Sequence, residues 1–247
     1  MKPLNRNHLK IVACVSMVLD HMGFLLFPHA AALRWAGRLA MPLFAFFIGE
    51  GCRYTSRRKR YAGSLLGLGA GCQAAYIAEA LFSEKGLTVA SDCWYFNILF
   101  PFFIAALICF SLLDAMQTAC VPVRRRGIAS FIVLILLVAA GAFVFPALRR
   151  RGWSLRLDYG IYAILLPVSA VLFQDVRVKR IAFSLALLTY CLGFMHTMPY
   201  VWFSLLCIPL LLLYNGKSGS SRLKYLFYIF YPAHLGVLYL ISMLCAR

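Results

Sequence analysis

Charge is scarce in this chain, and acid is scarcest: 13% of its 247 residues are charged, and only 8 are Asp or Glu against 25 Lys and Arg. With 63% hydrophobic residues, 20 Phe and 13 Tyr, the apolar surface exceeds what a soluble core of this length can hide, which excludes a soluble globular domain. Ten-residue stretches of alternating hydrophobicity are missing. Continuous apolar runs of about 18 to 24 residues stand in their place, which excludes a β-barrel. No C-x-x-C pair occurs among the nine cysteines. Cys14, Cys109, Cys191 and Cys207 lie inside apolar runs, where a thiol acts as a small hydrophobe, so neither a disulfide framework nor a zinc site is indicated. There is no Walker loop, G-x-G-x-x-G, H-E-x-x-H or G-x-S-x-G. Their absence removes nucleotide-driven pumping, dinucleotide redox chemistry, zinc proteolysis and the usual serine esterase. What remains is an all-α, polytopic membrane bundle with a nonmetal acid/base site.

The apolar runs read as about nine spans, eight to ten at the limits, within one integral membrane domain over residues 1–247. They lie near 9–28, 32–51, 61–82, 94–118, 127–148, 158–174, 181–196, 198–214 and 225–245. The His196-Thr-Met-Pro199 junction implies either a very tight turn or a single kinked helix. Lys2, Arg6 and Lys10 ahead of an apolar run resemble a signal peptide, but Asp20-His21 inside the run and the lack of a small-residue cleavage site favour a retained first helix.

The formal net charge of +17 would suggest nucleic acid in a soluble protein. Here the basic residues sit in short segments between apolar runs, the mark of cytoplasmic loops and of contact with anionic lipid, so nucleic acid is not an expected partner. A cytoplasmic amino terminus in a plasma or inner membrane places Arg53 to Arg60, Arg124 to Arg126, Arg177 to Arg180 and Lys217 to Lys224 inside. Arg149 to Arg151 with Arg156 then fall outside. Either the span count is off by one at this point, or these arginines are held outside to bind an anionic partner.

Ionisable groups at membrane depth cost a few kcal/mol each at least, and they tend to pair, to face cavities and to mark sites. Asp20 and His21 lie in the outer half of the first span and Arg38 in the outer half of the second. Glu79, Asn97, Asp158 and His196 lie at outer ends, and His234 lies near the middle of the last span. A polar chamber open to the outer leaflet satisfies all of these placements, and Glu50 alone falls at the inner end. Adjacent on a helix, Asp20 and His21 point about 100° apart and need partners from other helices. One reading has Asp20 neutralising Arg38 structurally while His21 bonds a backbone carbonyl; the other gives them a catalytic or substrate role. Arg38 lies too deep to snorkel and calls for Asp20 or a bound anion. His234 either works in the site or satisfies the carbonyl freed by Pro232. Gly63, Gly67 and Gly71 form a small-xxx-small stripe suited to close helix packing. The run Arg53 to Arg60 suits either phosphates or plain loop charge.

Read in order, Asp20-His21-Met-Gly23, Leu33-Arg, Gly37-Arg38-Leu-Ala-Met-Pro42-Leu-Phe-Ala-Phe, Glu50-Gly51, Arg57-Arg-Lys-Arg60-Tyr, Asn97-Ile-Leu-Phe, Asp158-Tyr-Gly-Ile-Tyr162 and Phe227-Tyr-Ile-Phe-Tyr-Pro232-Ala-His234-Leu resemble the TraX family over nearly the whole chain. That family is named for a conjugative-pilus protein that acetylates the amino terminus of pilin. It is distantly similar to integral membrane acyltransferases that use an embedded His and Arg. The resemblance implies transfer of acetyl from acetyl-CoA to an amine or hydroxyl on a pilin-like peptide, a glycan or a small molecule. His21 would be the base, oriented by Asp158 or Glu79, with Arg38 as electrostatic stabiliser and His234 as the alternative base. Arg53, Arg57, Arg58 and Arg60 would hold the CoA phosphates, and the Arg149 to Arg156 cluster would receive an acidic acceptor. A different class stays open: a proton-coupled secondary transporter or flippase in which Asp20, His21 and Glu79 relay protons and Arg38 binds an anionic solute. Against it, no internal repeat is evident. A noncatalytic assembly partner would tolerate substitution of His21 and Arg38.

Overall fold

The computed structural model of the chain describes residues 3–82, 94–117, 120–150, 155–217 and 224–245. The helices are α1 (Arg6–Leu25), α2 (Ala31–Gly37), α3 (Ala40–Tyr54), α4 (Arg58–Phe82), α5 (Leu99–Gln117), α6 (Val121–Arg150), α7 (Tyr162–Leu172), α8 (Val176–Phe194), α9 (Cys207–Leu213) and α10 (Lys224–Cys245). A 3₁₀ segment, Pro199–Leu206, leads into α9, and two short strands, β1 (Trp94–Phe96) and β2 (Leu155–Leu157), complete the description. Each run expected to span falls on a helix or a broken helix. Among the described residues, Arg6–Leu25, Ala31–Tyr54 and Leu99–Met116 are long and apolar enough to cross a membrane, while Tyr162–Leu172, Pro199–Leu213 and Ile229–Ser242 are shorter apolar helices. Large aliphatic side chains lie open, with Leu136 62% and Leu244 70% exposed, whereas Arg38, Ser204 and Asp20 are buried. Apolar outside and polar inside is the distribution of a protein dissolved in lipid.

The chain forms two compact units, Met1–Phe47 with Asp175–Arg247, and Ile48–Gln174. In the first, α1 packs on α2 and α10. Asn5 caps α1 by accepting from His8 N, and Asp175 caps α8 by accepting from Arg177 N at 2.8 Å and Val178 N at 3.0 Å, so one orphan donor at the first helix start and two at the second find a partner. After α8 the chain reverses in a tight turn, with Thr197 N and Met198 N both donating to Phe194 O. The 3₁₀ segment and α9 then run back along α8: Cys191 Sγ meets Val201 O at 3.6 Å and Arg180 donates to Tyr214 O at 2.9 Å. The tight turn, not the kinked helix, is therefore the arrangement at Pro199. Phe46 packs edge-on against Phe183 and Tyr214 in the core of this unit.

In the second unit α5 is central, packed on α4, α6 and α7. Ala105, Ile108 and Ile164 form its core, flanked by Phe131, Leu134 and Val138. The helical hairpin of α5 and α6 returns the chain to the end it left, so β2 pairs parallel with β1, Trp94 opposite Leu155 and Phe96 opposite Leu157. Two helices, α5 and α6, lie between the strands, and Arg156 on β2 shares the end of this unit that carries β1. The side chains of Arg149 and Arg150, and all of Arg151, lie outside the described residues.

Two local features qualify this picture. The second span, Ala31–Tyr54, is built from α2 and α3, broken at Arg38 and Leu39, because Pro42 has no N–H to give the Arg38 carbonyl. The glycine stripe of α4 is not a packing seam among the described residues: a Cβ added at Gly63, Gly67 or Gly71 would meet nothing within 4 Å.

Candidate functional site

Asp20, near the end of α1, is bracketed by Arg34 of α2 and by Arg38, the residue that follows α2. Arg34 Nη1 lies 3.1 Å from Asp20 Oδ2 and also donates to the Asp20 carbonyl at 3.1 Å. Arg38 Nη2 pairs with Asp20 Oδ1. Both guanidiniums lie over the ring of Tyr200, 5.8 Å and 5.5 Å from its centroid, and Arg38 Nη1 reaches Met198 Sδ at 3.4 Å. Arg38 is 3% exposed and Asp20 8%, so the pair is desolvated and each charge depends on the other. Among the described residues, two cations share this one carboxylate.

The sequence builds this cluster through two small features. Gly37 lets α2 press onto α1 at Asp20, since a Cβ there would stand 2.6 Å from Asp20 Cα. The Arg38 carbonyl, deprived of a helical donor by Pro42, accepts from Ser204 Oγ at 3.1 Å, and Ser204 is fully buried. The helix break thus turns Arg38 inward and Ser204 fixes it there.

One residue on, His21 leaves α1 toward α10. His21 Nδ1 lies 3.1 Å from His234 Nε2, across 213 residues of sequence. His234 Nδ1 lies 2.8 Å from Phe230 O. Phe230 stacks on the His234 ring at 5.0 Å and Tyr231 meets it edge-on at 5.9 Å. The carbonyl engaged by His234 belongs to Phe230, not to Tyr228, the group that Pro232 deprives of a donor, so His234 is not there to repair the kink.

Asp20, His21, Arg38 and His234 therefore come together in the first unit, joined by Arg34. Arg34 escaped the sequence reading because it sits near the start of its span, where a basic residue passes as an interface anchor. Its spacing of four from Arg38, which on an unbroken helix would set both on one face, was the available signal. His196 is exposed in the turn after α8.

The other expected residues belong to the second unit. Asp158 follows β2, its N–H donating to Phe96 O at 3.0 Å, and leads into the left-handed pair Tyr159 and Gly160. Asn97 is held by Gln73 and by the Gly69 carbonyl, 2.8 Å from its Nδ2, and caps α5 by accepting from Leu99 N. Glu79 lies on α4, its side chain outside the described residues, and Glu50 is buried. In the basic loop, Arg53 donates to the carbonyls of Val171, at 2.5 Å, and Phe173, at 2.9 Å, at the carboxyl end of α7. Arg58 pairs with Asp114 at 2.5 Å. Arg57, Lys59 and Arg60 are exposed.

Comparison with known proteins adds an independent line. The family model described as TraX protein matches residues 5–242. The chain is 28% identical over 250 residues to the probable fimbrial assembly protein FimC, serogroup H1, of Dichelobacter nodosus, covering 93% of this chain and 92% of that protein. A 41-residue stretch, 17% of this chain and 16% of the other, is 46% identical to the uncharacterized protein RP591 of Rickettsia prowazekii (strain Madrid E). No solved structure matches.

Proposed function

This chain belongs to the TraX family, a pilus-related family of helical membrane proteins, and we propose that it is an integral membrane acyltransferase moving acetyl from acetyl-CoA to an amine or hydroxyl acceptor. The observation that supports this reading is the hydrogen-bonded pair His21 and His234 one residue from the Asp20, Arg34 and Arg38 cluster. A base and positive charge in a buried setting are what attack on a thioester requires. For an amine acceptor, its nitrogen adds to the thioester carbonyl and the amine proton passes to the histidine. The arginines stabilise the negative charge that develops on the carbonyl oxygen. The C–S bond then breaks, and the proton leaves with the CoA thiolate as thiol. The likeness to a fimbrial assembly protein favours a pilin-like amino terminus as acceptor.

Acetyl-CoA carries phosphates, and the exposed Arg57 and Arg60 fit them, since a guanidinium fork matches phosphate oxygens. Arg53 and Arg58 are engaged by carbonyls and by Asp114, which leaves them a supporting role in shaping the loop.

The test is incorporation of labelled acetyl from acetyl-CoA into a pilin-like peptide with a free amino terminus, using protein reconstituted in vesicles and a peptide with a blocked terminus as control. His21→Ala and Arg38→Ala should abolish incorporation while the protein still inserts. Wild-type incorporation in both variants, or no binding of acetyl-CoA at millimolar concentration, refutes the proposal.

A further inference from the structure

We infer that His234 is a positioning residue that holds His21 in the tautomer with a protonated Nδ1 and a bare Nε2, so that His21 Nε2 is the base. A carbonyl oxygen only accepts, so the 2.8 Å contact between His234 Nδ1 and Phe230 O puts a proton on that nitrogen. A neutral imidazole has one N–H, which leaves His234 Nε2 with its lone pair. That lone pair faces His21 Nδ1 at 3.1 Å, and a hydrogen bond there needs the proton to come from His21 Nδ1. His21 Nε2 is then the free lone pair. Neutral rings are the relevant state, because a base must be unprotonated before it acts.

The order Phe230 carbonyl, His234, His21 does with two imidazoles what a carboxylate and an imidazole do in many acyl-transfer sites: a second group fixes which nitrogen is free. The stacked Phe230 ring and the edge-on Tyr231 ring hold His234 against rotation. Asp20, the residue before His21, is committed to Arg34 and Arg38 and leaves the orienting task to α10.

The role of His21 as base rests on the acyl-transfer reading; the tautomer does not, and the experiment separates the two. Two-bond nitrogen–proton spectra of ¹⁵N-histidine-labelled protein in micelles, assigned with single His→Gln variants, show which ring nitrogens carry protons. Protonated Nδ1 and bare Nε2 on both His21 and His234 are expected. In His234→Phe the preference of His21 for Nδ1–H should be lost, and kcat for acetyl transfer should fall roughly 100-fold with KM for acetyl-CoA unchanged, the scale of a misplaced catalytic group. His234→Gln, whose side-chain oxygen can accept from His21 Nδ1–H, should restore both the tautomer and most of kcat. Nε2–H on His21 in the wild-type spectrum overturns the inference even if His234→Phe fails to fold, and so does an unchanged tautomer in His234→Phe. The expected tautomer in a protein that transfers no acetyl group supports the orienting role of His234 and overturns the acyl-transfer reading instead.

Discussion

Replacing Gly37 with alanine puts the Asp20 site under the most direct strain. The added methyl would stand 2.4 Å from Asp20 Cβ and 2.6 Å from both Cα and Oδ1, where carbon atoms in contact rest at about 3.5–4.0 Å. Rotating the Asp20 side chain cannot relieve a clash with its own Cα, so α1 and α2 must part by roughly 1 Å. Overpacking of this kind costs about 1–3 kcal/mol, and alanine returns at most about 1 kcal/mol of helix propensity. The net expectation is a loss of about 1–2 kcal/mol in stability. A shift of that size at Asp20 also loosens Arg34 and Arg38, enough for roughly 100-fold in rate. Two matched substitutions calibrate the result. Gly23→Ala would meet Leu33 Cβ at 3.0 Å and the flexible Arg34 Cδ and Cγ at 3.1 and 3.2 Å; the Arg34 chain can yield and Leu33 Cβ must move only slightly with its backbone, for a cost of about 1 kcal/mol. Gly63→Ala would meet nothing within 4 Å and should be neutral or stabilising by up to about 1 kcal/mol. Denaturant unfolding of the detergent-solubilised protein, with acetyl transfer measured alongside, should rank the variants Gly37 lowest, Gly23 next and Gly63 highest. Equal midpoints for Gly37→Ala and Gly63→Ala would refute the close approach of the two helices at Asp20.

Four further outcomes are expected. Ser204→Ala should cost about 1 kcal/mol through the lost hydrogen bond to the Arg38 carbonyl, and less in a Pro42→Ala background, where a backbone N–H can take its place; additive costs in a double-mutant cycle count against the linkage. The Arg58–Asp114 pair is half-buried, 41% and 32% exposed at the two side chains, so its coupling should be about 0.2–1 kcal/mol and fade with salt. Asp114→Asn should leave acetyl-CoA affinity intact while Arg57→Gln with Arg60→Gln weakens it about tenfold; the reverse order in calorimetry removes Arg57 and Arg60 from the donor site. The Asp175 carboxylate is held below its ordinary range by the backbone N–H groups of Val178 and Arg177. A depressed carboxylate stabilises fully above its unfolded value and loses that contribution as pH falls through the folded value. The stability difference between wild type and Asp175→Asn should therefore shrink on acidification, and a difference independent of pH in thermal unfolding contradicts the cap's charge dependence.

The helical architecture was legible because lipid demands it: apolar runs of spanning length leave the backbone no alternative to helix. The approach of Asp20 to Arg38 was legible for a related reason, since a charge at depth must find its opposite. Less was visible where packing decides. Nothing in the chain near His21 points to a residue 213 positions away, and sequence left His234 divided between repairing a proline kink and working in the site. Gly37 read as one letter of a motif, and its job as a point of contact needs the neighbouring helix to be seen. The reverse error fell on Gly63, Gly67 and Gly71, where a regular spacing promised a seam that the described residues do not form. Small residues permit close approach, but they do not supply the partner.

The ion pair between Asp20 and Arg38 also bears on how the protein enters its membrane. The two charges are eighteen positions apart, on segments that would reach the insertion machinery one after the other. Offered alone, each segment carries a residue that costs about 2.5–3.5 kcal/mol at the centre of a bilayer. Offered together, with the turn between Leu25 and Ala31 already made, each neutralises the other's burden. The first two arms are thus suited to partition as a hairpin, and a variant that loses one charge but keeps the other hampers the arm it leaves untouched.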